Sequence, residues 1–284
     1  MSVALDMRVE PVLELVSNIA AADRKRMALR DIEDGLRLWR LGCTLGWLDI
    51  KLRYRGSLLG PLWLTLSTAV MVGGLGILYS TLFKTSLRDY LPFLALSMVL
   101  WNTLSGTVAD ACVCFTSAEG LIRSARLPFT LYAIRMVVRN VLVLGHNIVV
   151  IIAVYALLNV WPGWYSVAAI PALALWLVNA LAAGMFLGAF CARFRDIPPI
   201  VASVVQIAFF MSPVLWKPDA IHGTYRVLMD FNPFFTLLEV VRGPMLGYMP
   251  PLEVWVSAIF FSGLLCALAW MMFMRVRGRL AFWV

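Results

Sequence analysis

Long apolar runs with at most one charged residue each, separated by short polar segments, dominate the pattern of residues along the chain. Each run reaches or approaches the roughly 20 residues that a helix needs to cross a bilayer. The pattern predicts transmembrane helices over residues 61–83, 91–115, 136–158, 166–191, 198–216 and 252–274. We therefore expect an all-α integral membrane protein, with six transmembrane helices in a membrane domain that covers residues 61–274.

Residues 31–57 follow an amphipathic pattern instead. Apolar side chains, two of them tryptophans, recur there at helical spacing, and basic side chains lie between them. This pattern predicts a helix in the headgroup plane of the membrane, with its apolar face toward lipid. A soluble amphipathic helix is the alternative. Residues 1–30 are expected to be a cytoplasmic N-terminal tail, and residues 275–284 a cytoplasmic C-terminal tail.

Residues 217–251 are too apolar for a solvated loop, and five prolines divide them into pieces too short to cross the membrane. Broken helices at membrane depth are tolerated where protein surrounds them. We therefore expect short re-entrant helices before the last span.

The composition excludes a soluble protein, because 62% of the residues are hydrophobic and only 14% are charged. A typical soluble domain has roughly 25% charged residues. The net charge of +8 would indicate nucleic acid binding in a soluble protein, but here it reports topology, and we expect no nucleic acid partner. Nineteen of the 24 Lys and Arg fall in segments that lie inside if both termini are cytoplasmic. The positive-inside rule therefore predicts that orientation.

The sequence lacks the motifs of the common catalytic sites. It contains no G-x-x-x-x-G-K-[ST] phosphate loop, no H-E-x-x-H zinc motif and no G-x-S-x-G nucleophile motif. The five cysteines are interpreted as small apolar residues, since their spacing fits neither a zinc site nor a redox motif. We expect no enzyme activity, no metal and no cofactor in this chain.

Two polar residues are predicted to lie inside the membrane, where such groups are costly and tend to be functional. Asp110 and His146 fall at similar depths in the second and third predicted spans. A contact of Asp110 with either His146 or Arg139 is geometrically possible. A pair that holds two helices together is favoured over a proton relay, which usually needs several carboxylates.

Four stretches together resemble the ABC-2 type permeases that export polysaccharides. Residues 49–63 (DIKLRYRGSLLGPLW) resemble the segment that leads into the first span of that family. The F-R-D at 194–196 and the S-P-V-L-W at 212–216 resemble the start and end of its fifth span. Residues 232–242 resemble its N-P…E-x-x-R segment, and residues 119–128 match its first cytoplasmic loop more loosely.

The resemblance implies a homodimer that pairs with two copies of a separate ABC ATPase, which binds ATP and Mg. It implies export of a lipid-linked polysaccharide, such as O-antigen or capsule, across the bacterial inner membrane. The loop after the second span would be a coupling helix that contacts the ATPase; a plain basic turn is the alternative. Its contact residues would be Glu119, Gly120, Leu121, Arg123 and Arg126.

The resemblance also suggests where the substrate passes. The lipid headgroup would bind beside the first span, since arginine suits phosphate by its bidentate geometry; general anchoring to anionic membrane lipid is the alternative. The residues concerned are Arg53, Tyr54, Arg55, Trp39 and Trp47. An outer gate would involve Phe234, Phe235, Glu239 and Arg242, the last two forming an intrahelical pair or a gate pair.

The sequence is compatible with three alternative functions. An ABC-2 exporter could carry another lipid-linked polymer or a drug. A membrane-embedded enzyme of lipid or cell-wall metabolism would need clustered carboxylates or histidines, and the chain offers at most Asp110 with His146. An ion-driven transporter is typically built from inverted repeats, and we find no repeat in the sequence.

Overall fold

The structure is a computed structural model, and it describes residues 21–60, 62–218 and 229–284. Those residues form helices and connecting turns, with no strand among them. The α-helices are α1 (Ala21–Arg37), α2 (Trp39–Arg53), α3 (Leu62–Leu82), α4 (Leu87–Cys112), α5 (Glu119–Ser124), α6 (Phe129–Leu158), α7 (Ala169–Arg193), α8 (Ile197–Met211), α9 (Pro233–Met245) and α10 (Leu252–Trp283). The all-α prediction is confirmed.

Five of these helices are long and apolar enough to cross a membrane: α3, α4, α6, α10, and α7 with the short 3₁₀ turn that precedes it. The predicted fifth span forms α8, which has only 15 residues. A helix of that length extends about 22 Å, which is less than the roughly 30 Å of a bilayer's hydrocarbon core. The predicted count of six spans is therefore not confirmed.

Two of the long helices extend well beyond their predicted bounds. The helix that contains the predicted span 136–158 begins at Phe129, so that Arg135 as well as Arg139 lies within α6. Both arginines form ion pairs with carboxylates, and such pairing lowers the cost of placing a charge inside a membrane helix. The last predicted span, 252–274, continues to Trp283, so that most of the expected C-terminal tail is helical.

The predicted amphipathic helix 31–57 is divided in two at Leu38, where the backbone leaves helical geometry (φ −88°, ψ 16°). The first part, α1, begins at Ala21, inside the segment predicted to be a tail; residues 1–20 lie outside the described residues. Two glycines, Gly42 and Gly46, bring α2 very close to α6. A Cβ on Gly46 would lie only 2.8 Å from the carbonyl oxygen of Arg135.

α4 lies at the centre of the fold, and most of its residues from Tyr90 to Thr103 are buried. It contacts α3, α6, α7, α8 and α9. We call the end of the bundle where α6 and α8 begin, and where α4, α7 and α10 end, the basic end. The end that contains α9 is the opposite end. One apolar core cluster lies toward each end.

Candidate functional site

A network of charged side chains joins three helices near the basic end. The guanidinium of Arg135 on α6 donates two hydrogen bonds to the carboxylate of Asp49 on α2, at 2.7 and 2.6 Å. Arg139 on α6 contacts Asp49 at 3.5 Å and Asp110 on α4 at 2.9 Å. Asn140 donates to the same Asp110 oxygen at 2.9 Å. The network therefore fixes α2 and α4 to the first half of α6.

Of the two contacts considered for Asp110, the structure shows the one with Arg139. His146 is not its partner: the Nδ1 atom of His146 lies 2.7 Å from the carbonyl oxygen of Leu142, one turn earlier on α6. The backbone carbonyl of His146 accepts a hydrogen bond from the Thr65 hydroxyl on α3, at 3.0 Å. The Asp110 side chain thus connects α4 to α6, and the backbone carbonyl of His146 connects α6 to α3.

The residues predicted to bind the lipid headgroup lie on α2 and at its C-terminal end. Arg53 and Arg55 are exposed, and the side chains of Trp39 and Trp47 are 53% and 57% exposed. Tyr54 is half-buried and caps α2 by donating its backbone N–H to the carbonyl of Ile50. The two arginines are therefore accessible to a phosphate group.

The predicted ATPase contact forms a 3₁₀ turn (Thr116–Ala118) followed by the six-residue helix α5. Glu119 and Arg123 form an exposed ion pair across one turn of α5, at 2.8 Å. Arg123 also donates to the backbone carbonyl of Val284 at the end of α10, at 3.1 Å. Gly120 and Arg126 are exposed, and Leu121 is half-buried. The segment is thus a short helix at the surface of the basic end.

A cavity of about 360 Å³ lies beside α5 at this end of the bundle. It is bounded by the ends of α4 and α7, the start of α8 and the end of α10. Two buried cysteines, Cys112 on α4 and Cys191 on α7, both line it. Arg195, in the short connection between α7 and α8, is also in the lining. The cavity therefore lies between the start of α5 and the connection from α7 to α8.

At the opposite end, the predicted gate residues lie on α9. Arg242 is fully buried and Glu239 is 4% exposed. The two side chains form an intrahelical ion pair, the first of the two arrangements considered. Arg242 also donates to the Ser97 hydroxyl on α4, at 2.9 Å, and its guanidinium lies 4.7 Å from the centre of the Phe93 ring. The hydroxyl of Tyr248 donates to the second Glu239 oxygen.

α9 packs against the middle of α4, and its re-entrant position in the membrane stays a prediction. Ser97, which it contacts, is about 15 Å along α4 from the first residue of that helix. Phe235 is fully buried, and Phe234 packs against Trp101 on α4 with ring centres 5.6 Å apart. Asn232 caps α9 by accepting from the N–H groups of Phe234 and Phe235. Residues 219–228 of the predicted re-entrant segment lie outside the described residues.

Two of the sequence motifs meet around α9. The Asn232 side chain donates to the Ser212 hydroxyl at 3.0 Å, and Arg242 donates to the carbonyl oxygen of Pro213. The S-P-V-L-W segment and the N-P…E-x-x-R segment therefore form one hydrogen-bonded unit.

Sequence reasoning missed the side chains by which other helices bind α9 and the 212–216 segment. Three aromatic donors bind backbone carbonyls at 2.6 to 2.7 Å: Tyr90 binds Leu215, Tyr155 binds Met245 and Trp176 binds Leu237. Each donor is at least 60 residues away from its acceptor, so no local pattern marks the pairing. The abundance of Tyr and Trp near the ends of the spans is the only signal in the sequence.

Five membrane-length helices, a charged network at one end and a short buried helix near the other define a multi-pass membrane protein. The model of the ABC-2 type transporter family matches residues 40–246. The chain therefore belongs to the ABC-2 type transporter family. It is a transport subunit, and the family implies an ABC ATPase as its partner.

The chain is similar to permeases of O-antigen export systems. It is 25% identical over 196 residues to the O-antigen export system permease protein RfbA of Myxococcus xanthus, covering 67% of this chain and 74% of that protein. It is 19% identical over 218 residues to a protein of the same name from Klebsiella pneumoniae, covering 76% and 84%. The recognition from sequence motifs is confirmed by these similarities.

Proposed function

We propose that this chain is the membrane permease of an ABC exporter that moves a lipid-linked polysaccharide, such as O-antigen or capsule, across the bacterial inner membrane. The observation that carries the proposal is the similarity to O-antigen export permeases, which extends over about three quarters or more of their length. The convergence of the 212–216 and 232–242 segments around α9 supports it, because these motifs suggested the family. ATP and Mg would bind to the partner ATPase.

The proposed assembly is a homodimer of this chain with two copies of the ATPase, and both termini would be cytoplasmic. The basic end would then face the cytoplasm, in agreement with the positive-inside rule. α5 would be the main ATPase contact, because it is a short helix on the surface of that end and carries exposed charges.

The first experiment tests assembly and transport together. The tagged chain is solubilised gently from its native membrane, and the proteins that copurify in stoichiometric amounts are identified. Reversing the charges of Glu119, Arg123 and Arg126 should release a copurifying phosphate-loop ATPase and abolish ATP-dependent transfer of lipid-linked glycan into inverted membrane vesicles. Reversing Arg24, Lys25 and Arg26 on α1, which are also exposed, is the matched control.

Two outcomes would contradict the proposal. The first is a chain that purifies without an ATPase in several detergents with ATP present. The second is full ATPase assembly and full transport after charge reversal on α5, which would remove the coupling role of this helix. An assembled complex that transfers a lipid-linked polymer of another kind, or a drug, but no glycan would favour the alternative substrate class.

The headgroup site has its own test. Replacing Arg53 and Arg55 with Gln should lower export, because bidentate guanidinium contacts to phosphate would be lost. Replacing the exposed Arg37 with Gln on α1 is the control. Unchanged export in the Arg53 and Arg55 variant would leave no role for these residues in substrate recognition.

A further inference from the structure

A buried carboxylate joins three helices at the basic end. The side chain of Asp31 on α1 is fully buried, and aspartate is rarely buried unless it is paired. Its Oδ1 atom accepts hydrogen bonds from the backbone N–H and the hydroxyl of Thr130, both at 3.0 Å. Its Oδ2 atom accepts from the N–H of Phe129 at 3.2 Å and from Nε of Arg277 at 3.1 Å. Both carboxylate oxygens are thus fully used.

Asp31 caps the N-terminus of α6, although Asp31 itself belongs to α1. The residue at the cap position is Pro128, which makes no side-chain capping bond. The first N–H groups of a helix have no partner within the helix and form a partial positive charge. The Asp31 carboxylate accepts hydrogen bonds from two of these groups and places a negative charge beside them. Gly35, one turn further along α1, permits the close approach, because a Cβ there would lie 2.6 Å from the Cβ of Thr130.

Asp31 also connects α6 to the end of α10. Its partner Arg277 lies on α10, two turns before Val284. The carbonyl of Val284 accepts from Arg123 on α5, and the guanidinium of Arg193 at the end of α7 lies 5.5 Å from the Trp283 ring. The end of α10 therefore touches α5, the end of α7 and, through Arg277, the carboxylate that caps α6.

These contacts fix both sides of α5. On one side, only residues 125–128 separate α5 from the first turn of α6, which Asp31 holds. On the other side, α5 is bonded to the end of α10, which Asp31 also holds. A displacement of α5 would therefore act on both anchors, each of which belongs to a long membrane helix.

We infer that Asp31 is a positioning residue for energy coupling, since it locks the start of α6 to the end of α10 and so sets how movement of α5 reaches the membrane helices. The inference rests on the proposed contact between α5 and an ATPase. Asp31 itself would touch neither the ATPase nor the substrate. α1 lies outside residues 40–246 that match the family, so the family model does not assign this role.

The first part of the test measures the cap directly, by hydrogen exchange on the full chain in complex with its ATPase. Asp31→Ala should raise amide exchange at Phe129 and Thr130 about fivefold, the factor that corresponds to loss of a typical N-cap. Asp31→Asn should have a smaller effect, because the amide oxygen still accepts a hydrogen bond. Asp34→Ala, at an exposed position of the same helix, should change nothing and serves as the control.

The second part measures coupling in reconstituted vesicles, as ATP hydrolysed per lipid-linked substrate molecule transferred. Asp31→Ala should raise this ratio several-fold while the ATPase still copurifies in normal amounts, and Asp31→Asn should restore most of the coupling. A merely structural role would lower the yield of folded complex but would not change the ratio. If Asp31→Ala does not fold, Arg277→Gln breaks the connection to α10 alone and should raise the ratio in the same direction.

The inference would be overturned by a normal ratio in every folded variant of Asp31 and Arg277 in spite of faster exchange at Phe129 and Thr130. Failure of the proposed function is distinguishable from this result, because the unaltered chain would then copurify with no ATPase and transfer no lipid-linked substrate. Failure of the α5 contact alone would leave ATPase assembly and transport intact after charge reversal on α5.

Discussion

The buried pair of Glu239 and Arg242 gives the sharpest prediction about stability. Arg242→Met would remove a guanidinium that bonds Glu239, Ser97 and the Pro213 carbonyl and stacks on Phe93. Glu239, which is 4% exposed, would retain only the Tyr248 hydroxyl as a described partner. The variant therefore leaves a carboxyl group in the interior of the bundle without its cation.

The expected cost follows from that burial. Removing one partner of a buried ion pair typically costs about 3–5 kcal/mol, because the remaining charge is not solvated. At roughly 2–4 °C per kcal/mol for a protein of this size, the unfolding midpoint should fall by about 10 °C. The double variant Glu239→Gln with Arg242→Met should lose less than Arg242→Met alone, because no charge is left without a partner.

Thermal unfolding in detergent, followed by tryptophan fluorescence, measures these shifts. The matched control is Arg37→Met in the exposed pair of Arg37 and Glu33, whose side chains are 71% and 60% exposed. That change should cost less than about 1 kcal/mol. Equal midpoints for Arg242→Met and Arg37→Met would refute the reasoning. A variant of normal stability that leaks small solutes across vesicles would instead favour a gate pair.

Three further predictions concern contacts between helices. Gly46→Ala should lower the unfolding midpoint clearly more than Gly73→Ala, since a Cβ meets the Arg135 carbonyl at the first position and open space at the second. Mild oxidation with diamide should form a disulfide between Cys112 and Cys191, detectable by peptide mapping, because both thiols line the same cavity; its absence would contradict a close approach of the two sulfur atoms. Asp49→Asn should destabilise by about 2 kcal/mol, because two guanidiniums lose their shared carboxylate; an unchanged midpoint would contradict this.

The membrane class and the family could be predicted from the sequence because their signals are local. Uncharged runs mark α3, α4, α6, α7 and α10 wherever they lie in space, and short motifs identified the family before any contact was known. The ends of the membrane helices were harder to predict from the sequence. A charge usually marks the end of a span, but α6 includes both Arg135 and Arg139, because Asp49 and Asp110 pair with them.

The partners of the polar residues depended on tertiary structure alone. Hydropathy and motif spacing describe neighbours along the chain, whereas Asp31 and Arg277 are separated by 246 positions, and Tyr90 and Leu215 by 125. The choice of Arg139 over His146 as the partner of Asp110 likewise depended on how α4 is oriented against α6.

The sequence by itself determined that the chain enters a membrane as helices, because burial of apolar surface in lipid needs only local composition. Only the folded bundle decided which charges neutralise each other, because ion pairing requires atoms to approach within a few ångströms.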